Sequence, residues 1–139
     1  MNFNVGSGVQ EYNINGKCKV YFNPSDPEFS EKVFNALDVL MDLSEKYGNQ
    51  IQTETDNRKI FSIARELDGK LRETINGLFG EDVCTAVFGT MHLTASADGL
   101  PVWVNFMLAL IDIINDAYTE AEKALNPKLK KLVAKYQRK

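Results

Sequence analysis

The chain has 139 residues, is 44% hydrophobic and 25% charged, and carries a formal net charge of -3. That length suits one domain able to bury roughly two thirds of its unfolded surface, and that composition excludes disorder as the default state. Residues 126–139 hold six basic groups and no acid, so the first 125 carry 10 basic and 19 acidic groups, a net -9; an acidic body ends in a basic tail, which argues against nucleic acid as the partner of that body.

Taken in order, residues 1–9 are rich in Asn, Gly and Ser around Phe3, Val5 and Val9. They fray or add a short edge strand, and both readings stay open. Residues 9–22, VQEYNINGKCKVYF, read as a β-hairpin turning at Asn15-Gly16, because Gly accepts positive φ. A two-residue loop would put the apolar side chains of the two strands on opposite faces. A three-residue loop, Ile14-Asn15-Gly16, pairs Tyr12 with Cys18 and Gln10 with Val20 and gathers Tyr12, Cys18, Val20 and Phe22 on one face. We therefore expect the longer loop, with Gly16 left-handed in a bulge and the apolar face packed on helices.

Asp26-Pro27 opens the first helix, expected over 27–47 with Gly48 just past its end. Phe29, Val33, Leu37 and Leu40 supply its stripe, widened by Phe34 and Met41. A polar loop over 48–55 leads to a second helix from Thr55 or Asp56 to about Phe79, whose stripe is Ile60, Ala64, Leu67, Leu71, Ile75 and Leu78. Gly69 weakens that helix, and Asn76-Gly77 is placed to fray its last turn. A short helical segment, Glu81–Phe88, closes at Gly89, and 90–99 is a loop of small residues with Asp98 as a candidate N-cap.

The stretch Leu100–Ile114, LPVWVNFMLALIDII, is apolar apart from Pro101, Asn105 and Asp112. About fifteen residues is too short to cross a bilayer, which takes roughly twenty. A helix apolar on all sides is buried on all sides. We expect a central helix over about 100–125, wrapped by the others in a mainly α bundle with an N-terminal hairpin, all in one domain. Asn126-Pro127 then breaks the chain before a basic amphipathic helix over 127–138.

No residue set points to catalysis, a cofactor or a metal. His92 is the sole histidine, so no second imidazole completes a site, and it reads as a surface residue. Cys18 and Cys84 form no disulfide framework; Cys84 follows Glu81-Asp82-Val83, an acidic and apolar setting that disfavours a thiolate and marks it as core packing. Asp112 and Asp116 share a helix face, an arrangement open to a cation, but we read them as marking where that helix meets water or a lysine of the tail. The glycine runs VGSGV and NGLFGED lack phosphate-loop spacing. Trp103, Phe106 and Met107 suit a partner groove, though core residues look the same. The residues assigned to partner binding are those of the tail: Leu129, Leu132 and Tyr136 on its apolar stripe, and Lys128, Lys131 and Lys135 beside it. The N-terminus lacks the basic and apolar regions of a signal peptide, which gives a cytoplasmic expectation without a membrane span.

The layout as a whole resembles the small tail assembly chaperones of long-tailed phages and prophages of Gram-positive bacteria. The matching pieces are the hairpin YNINGKCKVYF, the helix opening NPSDPEF, the paired Phe-Gly steps of LFGEDVCTAVFG, and the helical stretch before ALNPKLKKL, spanning roughly residues 10–135. The resemblance implies a non-enzymatic protein of the host cytoplasm that self-associates and coats the long helical tape-measure protein until the tail tube forms around it. Two other classes stay in view: a structural tail or connector component retained in the virion, and a phage regulator binding nucleic acid through the basic tail.

Overall fold

A computed structural model describes residues 1–118 together with Lys131 and Ala134. Its elements run β1 (Gln10–Ile14), β2 (Cys18–Phe22), α1 (Pro27–Thr53), α2 (Asn57–Asn76), α3 (Val83–Phe88), β3 (Ser96–Ala97), β4 (Leu100–Pro101) and α4 (Val102–Ala117). The fold is mainly α with a small antiparallel N-terminal hairpin.

The hairpin has a three-residue loop, but one place further along than expected. Ile14 pairs with Cys18, Tyr12 with Val20 and Gln10 with Phe22, so Lys17 rather than Ile14 belongs to the loop. Asn15 and Gly16 both take positive φ, 55° and 70°, and the Lys17 N–H closes the turn on the Ile14 carbonyl at 2.9 Å. The expected and observed registers differ by two residues, which leaves every side chain on the same face. Burial therefore could not distinguish them. The observed pairing keeps Ile14 in the strand, beside Tyr12 on the packed face.

Asp26 caps α1 through its carboxylate, which accepts the Glu28 N–H at 3.0 Å, and Pro27 takes the first helical position. The helix does not stop at Tyr47: it passes through Gly48 and runs to Thr53. Tyr47 is 4% exposed and one turn further Ile51 is half-buried, so packing on both sides of Gly48 overrides its weak helix preference. Only Glu54, Thr55 and Asp56 then separate α1 from α2, and the two pack as a helical hairpin. Asp56 caps α2 as expected, accepting the Arg58 N–H at 2.9 Å. The helix ends at Asn76, three residues before Phe79, with Gly77 as its C-cap.

Asp98 does not cap α4. Asp98 and Gly99 have φ of 56° and 82° and form the two-residue turn of a second, minimal hairpin, β3–β4. The start of α4 needs no capping side chain, because the Val102 and Trp103 N–H groups donate to the Ala95 and Leu93 carbonyls at 2.8 and 3.1 Å. The helix ends at Ala117, where Tyr118 is extended and its hydroxyl hydrogen-bonds to Ser30 near the start of α1; the rest of the expected span, to 125, lies outside the described residues. Trp103, Val104, Met107, Ile111 and Ile114 of α4 are fully buried against Leu37 and Leu40 of α1, Leu71 and Ile75 of α2, and Val83 of α3. The burial is not complete around α4. Ala109, Asp112 and Asp116 are exposed and Asn105 is half-buried, and these recur at steps of four, three and four along one strip.

Candidate functional site

Beside that strip a row of aromatic rings ties the hairpin to the helices. Tyr12 stacks on Phe22 at 4.4 Å between centroids, and Phe22 stacks on Phe29 at 4.5 Å. Phe79, just beyond α2, lies 6.3 Å from Phe22 and 6.2 Å from Phe106 of α4, edge-on to the latter. Phe106 meets Phe88 of α3 at 6.4 Å. Each such pair adds about 0.5–1.5 kcal/mol beyond its buried area. Phe22 is buried, but Tyr12, Phe79, Phe88 and Phe106 keep part of their surface in water.

The open sides of these rings line a groove between the first hairpin and α4. It comprises two depressions, of about 220 Å³ and about 440 Å³. They share Ile14, Asn15, Phe106 and Ala109, so the groove is continuous along α4 from Val102 to Ile113. The lining is apolar except at the ends and tip, where Asn13, Asn15, Asp98 and Asn105 stand. The Asn105 amide donates to the Ala97 carbonyl at 2.8 Å and so fixes the β3–β4 hairpin as the far wall. Shape and chemistry suit an apolar helix face or an extended apolar segment.

A second cluster, remote in character from the groove, is polar and structural. Asp68, Arg72 and Asn76 recur every four residues on α2. Asp68 is 8% exposed and accepts the Leu93 N–H at 2.7 Å and the Arg72 Nε–H at 2.9 Å. The remaining Arg72 nitrogens donate to the Gly89 and Met91 carbonyls at 2.7 and 2.6 Å and to Thr85 Oγ1 at 3.4 Å. Asn76 donates to Asp82 at 3.0 Å and accepts the Cys84 N–H at 3.0 Å. Hydrogen bonds from the Thr85 hydroxyl and N–H, and then from Asn76, hold the Asp82 carboxyl below its ordinary range. The cluster fastens the loop over 89–93 to α2, and its charged groups are engaged in doing so.

Cys84 is fully buried, and burial pushes its thiol up to about 11 against an opposing pull from Arg72. Cys18 is also raised, by burial and by the nearby Glu81 carboxylate. Neither setting favours a thiolate. His92 is half-buried. Asp112 and Asp116 are exposed, on the strip where α4 meets water. Trp103 and Met107 are core, whereas Phe106 lines the groove. Among the described residues no three His, Cys, Asp or Glu side chains converge as metal ligands, and no helix is long and apolar enough to cross a membrane.

Of the residues assigned to partner binding, Lys131 is helical and exposed. Leu129, Leu132, Tyr136, Lys128 and Lys135 lie outside the described residues. Of the three residues read as suiting a partner groove, Phe106 lines this one; its other walls are not read from the sequence. Two signals for it stand in the sequence: the Asp98-Gly99 turn that builds its far wall, and the spacing of Asn105, Ala109, Asp112 and Asp116, which interrupts the apolar run on one side only.

Comparison with protein-family models, curated proteins and solved structures finds no match to this chain.

Proposed function

We propose that the protein is a non-enzymatic binding module that holds an apolar segment of a protein client in the groove along α4. The observation that carries this reading is the half-open aromatic row: Tyr12, Phe79, Phe106 and Phe88 present ring surface to a continuous apolar channel while the buried polar groups near it serve the fold. Aromatic surface of this kind supplies binding energy at little conformational cost, and the shallow, open form suits contacts that must later be released.

The layout resemblance narrows the client. Read as a phage tail assembly chaperone, the protein binds the tape-measure protein in the host cytoplasm, self-associates along it, and leaves before the virion matures. The apolar groove and the acidic body with a basic tail support that reading: the first grips helices, and the second lets like bodies attract through unlike ends. The test is co-expression with a candidate tape-measure protein. The full chain keeps that client soluble and co-purifies with it, Ala109→Lys and Ile113→Lys release it without loss of fold, and purified virions lack the protein. Retention of the client by both groove variants, or stoichiometric protein in the virion, overturns the reading.

A further inference from the structure

The groove is matched in length and charge by segment 127–138, which follows Tyr118 after eight residues. Tyr118 ends α4 one turn beyond Ile113, which lines the near end of the groove, and its extended backbone frees the chain from continuing along the helix axis. Eight residues, 119–126, separate it from the basic amphipathic segment 127–138. Eight residues reach about 26 Å when extended, enough to reverse direction. As a helix the twelve residues of 127–138 are about 18 Å long, the same as the twelve residues of α4 from Val102 to Ile113 that face the groove.

The faces match as well. On a helical wheel Leu129, Leu132, Val133 and Tyr136 form one stripe, and Lys131 and Ala134 fall opposite it. Both of the latter are helical and exposed. Lys128 and Lys135 border the stripe. Laid antiparallel to α4, the start of the segment brings Lys128 to exposed Asp112 and Asp116, and its end brings Lys135 to exposed Asp98 at the far mouth. No ion pair within the described residues engages those three acids.

We propose that segment 127–138 docks in cis, antiparallel to α4, with Leu129, Leu132, Val133 and Tyr136 on the groove. Attachment through a short linker gives it a high effective concentration there. Where the groove is also the client site, a deepening that rests on the function proposed above, the segment is the resident occupant that a client displaces.

The experiment needs no client, so it separates this proposal from the previous one. In the full chain carrying Cys18→Ser, with Cys84 buried, one variant combines Ala109→Cys with Leu132→Cys and a second combines Ala109→Cys with Lys131→Cys. Diamide is the oxidant, and the product is read by non-reducing electrophoresis and intact mass. The expected result is an intrachain disulfide about ten times faster for the 109–132 pair than for the 109–131 pair, at a rate independent of protein concentration. Equal rates for the two pairs overturn the docking. An interchain product whose rate rises with concentration overturns the cis assignment and gives the groove to a second copy's tail. A measurement free of cysteine substitutions is methyl NMR of the full chain against Leu132→Lys: the Ile113 and Ile14 methyls shift and those of Ile75 do not. Unchanged Ile113 and Ile14 methyls overturn the proposal.

Discussion

Arg72 shows how a single charged side chain is used to hold a loop in place. Its guanidinium reaches the Asp68 carboxylate and the carbonyls of Gly89 and Met91, and Asp68 in turn holds the Leu93 N–H. Removing one partner of a buried pair leaves the other charged and undersolvated. Arg72→Met therefore destabilises the fold by about 3 kcal/mol in urea titration, with faster amide exchange over 89–93 than in α1. Cys84 makes the opposite point, a polarisable group kept neutral. Burial raises its folded pKa from 9.0 to about 11. A raised acid pKa means that the folded state keeps a proton which the unfolded chain releases first, so the contribution is full below pH 9 and falls as pH rises toward 11. The loss is on the order of 2 kcal/mol across that window. Urea midpoints at pH 8 and pH 10.5 check it, since the drop shrinks in Cys84→Ala once that variant's packing loss at pH 8 is subtracted. In the native protein an aromatic disulfide reagent at pH 8 modifies Cys18 slowly and leaves Cys84 intact, and both react after denaturation.

At the level of elements, helix existence and the capped starts of α1 and α2 were legible, and the C-terminal ends of those helices were not. The stripes Val33–Leu37–Leu40 and Leu67–Leu71–Ile75 are buried as their spacing implies, and the caps Asp26 and Asp56 hold the N–H groups expected of them. These signals are local, and local geometry satisfies them. Gly48 misleads because its preference to end a helix is worth about 1 kcal/mol, less than the packing of Tyr47 and Ile51 that continues on either side. The same balance makes a prediction. A Cβ at Gly48 meets nothing within 4 Å, and no positive φ is imposed on it. Gly48→Ala then stabilises the protein by about 0.5–1 kcal/mol, read as a higher urea midpoint at constant slope. A lower midpoint would mean that Gly48 holds something its surroundings do not reveal. The assembled groove was illegible for a different reason. Its walls come from residues 12–22, 79, 87–88, 97–98 and 102–113, and no local rule brings these together; the aromatic contacts between separate elements do.

For the whole molecule, the aromatic row decides whether the hairpin and the helices fold as one. A two-stranded hairpin is marginal in water, and β1–β2 is attached to the remainder mainly through Tyr12, Val20 and Phe22. Phe22 is the ring common to the contacts with Tyr12, Phe29 and Phe79, so it links the strand pair to α1 and to the end of α2 at once. Truncating a buried phenylalanine costs about 3–5 kcal/mol, a large share of the 5–15 kcal/mol that holds a domain of this size together. Phe22→Ala therefore does more than lower stability. In the native chain the hydrogen-bonded amides of β1 and β2 exchange with the same free energy as those of α1 and α2, because the hairpin cannot open without exposing the row. In Phe22→Ala the hairpin amides exchange through a separate, lower-energy opening, and the groove loses its near wall before the helices unfold. Native-state hydrogen exchange distinguishes the outcomes: hairpin amides that still follow the helices in the variant would show that Val20 and Tyr12 suffice to hold the wall. Separation of the two sets would make the groove a property of the assembled molecule, present only while the hairpin and the helices share one row of rings.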